Sequence, residues 1–293
     1  MIADFAQLLL NGLLAGTQLA VPAIGFTAIY AVLRFPNFAV ASHATIGAYA
    51  GFVANVWFGL PAPAALLAAF LVAGVVGVVS DEIVLRRLRP AGALTVAIAS
   101  VALTIVLENI VRFSFGNDLR GYDLPVLRDW HWPMPWGDTL RVGPQQLENA
   151  VAAGLAMAAL FAFLAFTRTG KMMRAVADNP MLAGLKGINA DVVARLASFV
   201  GMGLAGFGGM LIGLDTSIDP LTGFRVMLSV FAAAVVGGLG SIPGAVVGAF
   251  VIGIGEEMSV LVLDPTYRTA VGFVAILLVL SLRPRGLLGE RAY

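Results

Sequence analysis

Apolar runs as long as a bilayer is thick recur along almost the whole of this 293-residue chain, and few folds accept them. They lie at about 6–33, 38–58, 62–84, 93–113, 149–167, 195–214, 226–263 and 267–282. A spanning helix needs roughly 20 residues, so 226–263 divides near Gly240-Ser241-Ile242-Pro243; this predicts nine crossings, or eight if the short piece before the break falls short. In hydrocarbon each backbone amide must be satisfied inside its own segment. The expected fold is therefore an all-α polytopic membrane protein, a single transmembrane domain over 1–293 with some helices discontinuous. The composition, 59% hydrophobic and 12% charged, agrees with this, soluble domains carrying roughly 25% charge. It also disfavours most catalysis: without cysteine there is no thiolate nucleophile or thiolate metal site, and His43 and His131 are the only imidazoles. A net charge of +1, scattered along the chain, leaves no nucleic-acid surface.

Lysine and arginine orient such a chain. Nine crossings put Arg34, the cluster Arg86, Arg87 and Arg89, the cluster Arg168 to Arg195, and Arg283, Arg285 and Arg291 on one face, which collects 12 of the 18 basic residues and is read as cytoplasmic. The N-terminus is then outside and the C-terminus inside. With no charge between Asp4 and Arg34, the first apolar run lacks the basic start of a cleaved signal and is expected to remain as a span. The loop at about 114–148 is external, and its Trp130, Trp132 and Trp136 read as an interfacial belt or a surface for an external partner.

Several motifs need weighing. Gly201-Met202-Gly203-Leu204-Ala205-Gly206 has the spacing of a dinucleotide loop but lies within an apolar helix with no strand before it, so it reads as helix packing. Small residues four apart at Gly12/Gly16, Gly47/Gly51, Gly209/Gly213, Gly240/Gly244 and Gly244/Gly248 read the same way. No P-loop occurs, so any ATP that drives this chain is hydrolysed on another subunit. Glu108, Glu256, Glu257 and the Asp81-Glu82 pair lie near span ends, where pairing with Arg112 or Arg268, a gate, or a proton relay are all open readings.

Two stretches look built to interrupt helices. One runs from Arg34 to Tyr49, with Pro36-Asn37 ahead of Ser42, His43 and Thr45; the other is Gly237-Gly238-Leu239-Gly240-Ser241-Ile242-Pro243-Gly244 and the residues to Ala249. They are expected to enter from opposite faces as parts of an inverted repeat, spans one to four against the last four with 149–167 as the joint. The cytoplasmic loop 168–195 holds a different signal: Asn179 suits an N-cap, Pro180 a first helical position and Gly187 a C′ position, enclosing about two helical turns. Met181, Leu182 and Leu185 give this short helix an apolar face suited to a partner's cleft.

That loop, with Ala177-Asp178-Asn179-Pro180 and Gly187-Ile188-Asn189, resembles the coupling loop of ABC-importer permeases of the branched-chain amino acid family. Leu9-Leu10-Asn11-Gly12-Leu13, Asn37-Phe38-Ala39 with Gly47-Ala48-Tyr49, and Gly237 to Gly244 fit in the same order, so the resemblance spans nearly the whole chain. It implies an inner-membrane subunit paired with a second homologous permease, served by two cytoplasmic ATPases that carry ATP and Mg, and by an external solute-binding protein. It also implies no cofactor in this chain. On it, Gly170, Arg174, Ala175, Asp178, Asn179, Pro180, Leu182, Ala183, Leu185, Gly187, Ile188 and Asn189 would meet an ATPase. Gln18, Asn37, Ser42, His43, Thr45, Gly47, Tyr49, Gly237, Gly238, Gly240, Ser241, Pro243 and Gly244 would line the route of a small organic solute, an amino acid first. The chain departs from the family at Val40-Ala41-Ser42, where His-Gly and often an acid are usual, and at Gln18 to Pro22, where a Tyr-Ala-Leu run is usual. Urea, amides and organic acids therefore remain alternative solutes, and an ion-coupled transporter or channel the rival class.

Overall fold

A computed structural model describes residues 2–125, 128–133, 139–264, 267–283 and 285–289. Trp136, Asp138 and Arg291 lie outside the described residues. The helices are α1 (Ile2–Leu33), α2 (Val40–Phe52, continued by a π-helical turn, Val53–Trp57), α3 (Ala62–Ser80, running on to Ala91 through a second π-helical turn) and α4 (Ala93–Phe115). Then come α5 (Pro144–Phe166), α6 (Arg168–Asp178), α7 (Pro180–Leu185), α8 (Ala190–Asp215), α9 (Thr222–Gly237), α10 (Ile242–Ser259) and α11 (Ala270–Leu282). Six of them, α1, α3, α4, α5, α8 and α10, are long and apolar enough to cross a membrane. The chain is a multi-pass α-helical membrane protein. The helix-only expectation needs one amendment: the loop from 116 to 143 carries an antiparallel hairpin of β1 (Trp130–Pro133) and β2 (Thr139–Val142), with Trp130 opposite Val142.

Glycine sets how closely the helices approach. A Cβ on Gly25 would lie 2.4 Å from the Gly201 carbonyl and one on Gly201 would lie 2.6 Å from the Gly25 carbonyl, so α1 and α8 cross backbone to backbone. The apparent dinucleotide loop is part of this packing: Gly203 faces Phe70 and Gly206 faces Ala73 on α3. Along α1, Gly12 and Gly16 face Ile254 and Phe250 of α10. The outcome is an ordered set of neighbours in which α1 packs along α10 and α3 along α8, while α2 packs on α3 and α9 on α10. Two faces of α4 and α5 stay uncovered, with Leu94, Phe113 and Phe166 exposed as lipid contact requires.

The two ends of the bundle differ in charge. At one end Arg34 donates to the Ala177 carbonyl, Arg86 reaches Asp191 at 2.6 Å and Arg195 reaches Glu82 at 3.0 Å, tying the ends of α1 and α3 to the α6–α8 region. At the other, Arg141 pairs through its backbone with Gln7, Arg225 with Asp219 and Arg268 with Glu257. The expectation that the two interrupted stretches enter from opposite ends is overturned. Gly240 sits beside Tyr30, in the last turn of α1, and Arg34 follows that same turn, so both stretches begin at the charged end shared by Arg34 and Arg86. Both precede helices that run antiparallel to α1: Gly16 meets Ala249 while Gly12 meets Gly253, and α2 runs against α3 as α8 does. Gly240 is also no packing residue, since it occupies the turn before α10 with φ +93°.

Candidate functional site

After α1 the chain turns at Arg34 (φ +59°) and travels back into the bundle without helical hydrogen bonds, Phe35, Asn37 and Ala39 being fully buried. Backbone groups in such surroundings need substitutes. α4 supplies them: the Phe38 N–H donates to Ser100 Oγ (2.9 Å) and Thr104 Oγ1 donates to the Phe38 carbonyl (3.2 Å). Asn37 Oδ1 accepts the Ala39 N–H (3.1 Å), an Asx turn that starts α2 inside the protein rather than at its surface. The start of α9 has the same chemistry, with Asp219 Oδ1 accepting the Leu221 N–H (3.0 Å) and Thr222 Oγ1 accepting the Asp219 N–H (2.8 Å). The two first turns meet: the Gly223 N–H donates to Thr45 Oγ1 at 3.0 Å, and Gly223 is pressed against the Ala41 carbonyl.

Where they meet lies a recess walled by Pro22 and Phe26 of α1, Asn37, Phe38 and α2's first turn, Ile212 of α8, and Val226, Met227 and Phe231 of α9. Asn37 is its single polar side chain among the described residues. With Oδ1 committed to Ala39, its Nδ2 must be the free atom of the amide, and that nitrogen has no hydrogen-bond partner although Asn37 is only 1% exposed. A buried donor left in this way costs about 1–3 kcal/mol.

Of the proposed route residues, only Asn37 reaches this recess. Ser42 bonds the Ala39 carbonyl (2.9 Å), and His43 spans from that carbonyl (2.6 Å at Nδ1) to Ser80 Oγ (3.3 Å at Nε2), so both anchor α2. Thr45 serves Gly223, Gly47 abuts Gly206, and Tyr49 packs against Phe115 with tilted rings and centroids 4.7 Å apart. Gln18 bonds Asp215. The later stretch holds helices together: Gly237 and Gly244 are in mutual backbone contact, Ser241 Oγ caps α10 at the Gly244 N–H (3.2 Å), Pro243 fills its first turn, and Gly238 packs on Gly286 and Gly289. The recess residues of α1, α8 and α9 carry no polar mark in the sequence. The legible signal was Asp219-Pro220-Leu221-Thr222-Gly223, an Asx-Pro turn ahead of a helix in an apolar region.

The carboxylates find structural partners. Asp81 pairs with Arg89, Glu82 with Arg86 and Arg195, Glu257 with Arg268, and Glu256 accepts from Ser229 Oγ at 2.6 Å. One oxygen each of Asp81 (Oδ1) and Glu108 (Oε1) is buried without a hydrogen-bond partner.

The segment between α5 and α8 folds as its residues suggest. Thr167 Oγ1 caps α6 at the Gly170 N–H (2.9 Å), Gly170 lies against the Phe163 carbonyl, and Met173 and Val176 bury the inner face, leaving Arg174 exposed and Ala175 half-buried. After Asp178, Asn179 Oδ1 caps α7 at the Leu182 N–H (3.0 Å), Pro180 occupies its first turn, and Gly187 leaves it with φ +81°. The Ile188 N–H returns to the Ala183 carbonyl (3.1 Å), a Schellman-like closure, and Asn189 caps α8. Ala183 is the inner contact, whereas Met181, Leu182 and Leu185 are 78%, 59% and 77% exposed.

Residues 8–282 match the family model described as the branched-chain amino acid transport system permease component. The chain is 32% identical over 297 residues to the high-affinity branched-chain amino acid transport system permease protein LivH of Escherichia coli (strain K12), covering 98% of this chain and 96% of that one. It is 32% identical over 302 residues to the corresponding protein BraD of Pseudomonas aeruginosa, covering 99% and 97%, and 28% identical over 298 residues to the probable branched-chain amino acid transport permease protein LivH of Methanocaldococcus jannaschii, covering 94% and 87%. A solved chain of PsaBC from Streptococcus pneumoniae in complex with Fab shares the fold, with a TM-score of 0.51, 15% identity and 97% of each chain covered. The chain belongs to the family of branched-chain amino acid transport system permease components, the membrane-embedded subunits of ABC importers.

Proposed function

We propose that this permease subunit forms, with a second homologous permease, the route by which a branched-chain or similar amino acid crosses the inner membrane. Two cytoplasmic ATPases holding ATP and Mg drive it, and an external solute-binding protein delivers the solute. The observation that carries the reading is α7: six residues capped at both ends, with three large apolar side chains turned to solvent. So short a helix does not persist alone, and such a face is unfavourable in water unless a partner covers it. The segregation of arginines supports a cytoplasmic position for α6, α7 and the C-terminus, with the N-terminus outside. Eight or nine crossings follow if α2, α9 and α11 traverse with the six long helices.

Packing supports the inverted repeat, but with a different pairing of stretches. Exchanging α1, α2 and α3 for α8, α9 and α10 maps α1 on α10 to α8 on α3, and α2 on α3 to α9 on α10. The reciprocal Gly25–Gly201 contact lies where a two-fold axis would pass, and α2 then corresponds to α9, so the partner of Asn37-Phe38-Ala39 is Asp219-Pro220-Leu221. The test of the subunit's role is Leu185→Asp. Because Leu185 is exposed, the permease keeps its own fold, while copurification with the ATPase and ATP-driven leucine uptake in proteoliposomes should fall together. Normal uptake by this variant would sink the coupling role.

A further inference from the structure

Past Gly116 the chain leaves α4 and crosses the end of the bundle opposite Arg34, bonding two different units in turn. To the connector between α8 and α9 it is joined by its backbone, Arg120 and Ile218 exchanging both hydrogen bonds at 2.9 Å. To α2 and the π-helical turn after it the joints are side chains. The Tyr122 hydroxyl donates to the Ala48 carbonyl (2.9 Å), the Asp123 N–H donates to Asn55 Oδ1 (2.8 Å), and the Arg120 guanidinium lies over the Phe52 ring at 5.6 Å. Ile218 stands immediately before Asp219, whose turn starts α9. On the inverted-repeat reading, α2 belongs to one half of the molecule and α9 to the other, so residues 117–123 staple the halves together at this end. A rigid-body motion that parts the halves here has to break the staple. We propose that residues 117–123 are a clasp whose release is a required step of transport. This rests on the reading of the chain as a permease with its N-terminus outside, which makes the clasp external.

The contact is built to let go. The bridge between Arg120 and Ile218 is isolated, with no strand continuing from it. Leu119, beside it, stays 68% exposed, so little apolar surface is committed to closure. Two polar atoms in the contact, Arg120 Nε and the Tyr49 hydroxyl, are buried without a hydrogen-bond partner. Opening gives both to water, which weakens the closed form relative to the open one. Gly213 lets the clasp seat so closely: a Cβ there would lie 2.4 Å from Ile218 Cγ2 and 3.0 Å from the Tyr122 hydroxyl. A few bonds closing and two unmet groups opposing them is the local balance expected of an element that moves.

The chain has no cysteine, so an introduced pair of thiols is alone in it. The antiparallel bridge sets Gly121 opposite Ser217 in the non-hydrogen-bonded register, where Cα atoms lie about 4.5 Å apart, within disulfide range. A Cβ at Gly121 meets open space, and Ser217→Cys changes one atom. The full transporter carrying Gly121→Cys and Ser217→Cys in proteoliposomes should take up leucine when reduced. Oxidation should abolish uptake while the ATPase stays bound, dithiothreitol should restore it, and joining the same thiols with a long flexible bis-thiol reagent should leave it in place. Each single-cysteine variant should ignore the oxidant. Undiminished uptake once mass spectrometry shows the disulfide complete would overturn the proposal. If the disulfide does not form, or the reduced pair does not transport, Tyr122→Phe decides by hydrogen exchange of the full chain in nanodiscs. Losing that one bond should speed exchange in the peptides covering 117–123 and 216–219 together, by about 2- to 10-fold, and a change in neither or in only one refutes the clasp. Leu185→Asp tests the permease role separately, since its uptake should be lost whatever the redox state.

Discussion

The crossing of α1 and α8 is tight enough to give a number. On Gly201→Ala the new methyl would sit 2.4 Å from Ile29 Cγ1 and 2.6 Å from the Gly25 carbonyl oxygen. Ile29 is fully buried and has nowhere to retreat, so the helices must part. Restoring an ordinary contact with the carbonyl opens the crossing by about 0.6–0.8 Å, and a gap of that order forfeits roughly a quarter to a half of the dispersion energy across the seam. Overpacking of this kind costs about 1–3 kcal/mol, against which the gain in helix propensity from Gly to Ala returns at most about 1 kcal/mol. Net destabilisation of about 1–2 kcal/mol is expected, read by SDS titration of the chain from mixed micelles. Gly25→Ala asks for the same separation, its methyl meeting the Gly201 carbonyl at 2.4 Å. Once the first substitution has parted the helices the second finds room, so the double variant should be less damaged than the sum by on the order of 1 kcal/mol. Two neutral single variants, or strictly additive ones, would refute the backbone-to-backbone crossing.

Thr45→Val removes the acceptor of the Gly223 N–H and leaves a buried donor unpaired, so a loss of about 1–3 kcal/mol in the same titration is expected, with Thr45→Ser largely spared. Asn179→Ala removes the α7 cap at a cost of about 1 kcal/mol confined to that helix; unfolding of the whole chain should be unchanged while ATPase copurification weakens.

The elements legible in the sequence were those whose cause is local. Hydropathy marks where a helix must lie, and Asn179, Pro180 and Gly187 act within a few residues of themselves, so the spans and α7 could be read in advance. The recess could not. Pro22, Phe26, Ile212, Met227 and Phe231 come together only when α1, α8 and α9 pack, and singly each resembles a lipid-facing residue. Gly237 to Gly244 is ambiguous for a related reason: a helix break that opens onto a route and a turn that lets two helices touch have the same composition, and the Gly237–Gly244 contact is visible only in the fold. Nor does a Pro-Asn or Gly-Pro break encode depth. Ser100 and Thr104, some 60 residues further on, are what allow α2 to start inside the protein.

The position of Arg34 links the two candidate sites. Its side chain donates to the Ala177 carbonyl at the end of α6, one peptide before Asp178 and the α7 cap, and its backbone turns the chain into the segment carrying Asn37. α6 is fixed at its start by Gly170 against α5, so a force on α7 arrives at Arg34 through a short rigid helix rather than a loop. Coupling along this route is a measurable interaction between the two sites. If motion of α7 reaches the recess through this bond, Arg34→Ala should leave ATPase binding intact while uptake declines. Combined with Leu185→Asp, Arg34→Ala should then add no further loss of uptake, because both act on one route. A fully additive double variant would mean that α7 moves the bundle through α8 instead, to which Asn189 also joins it.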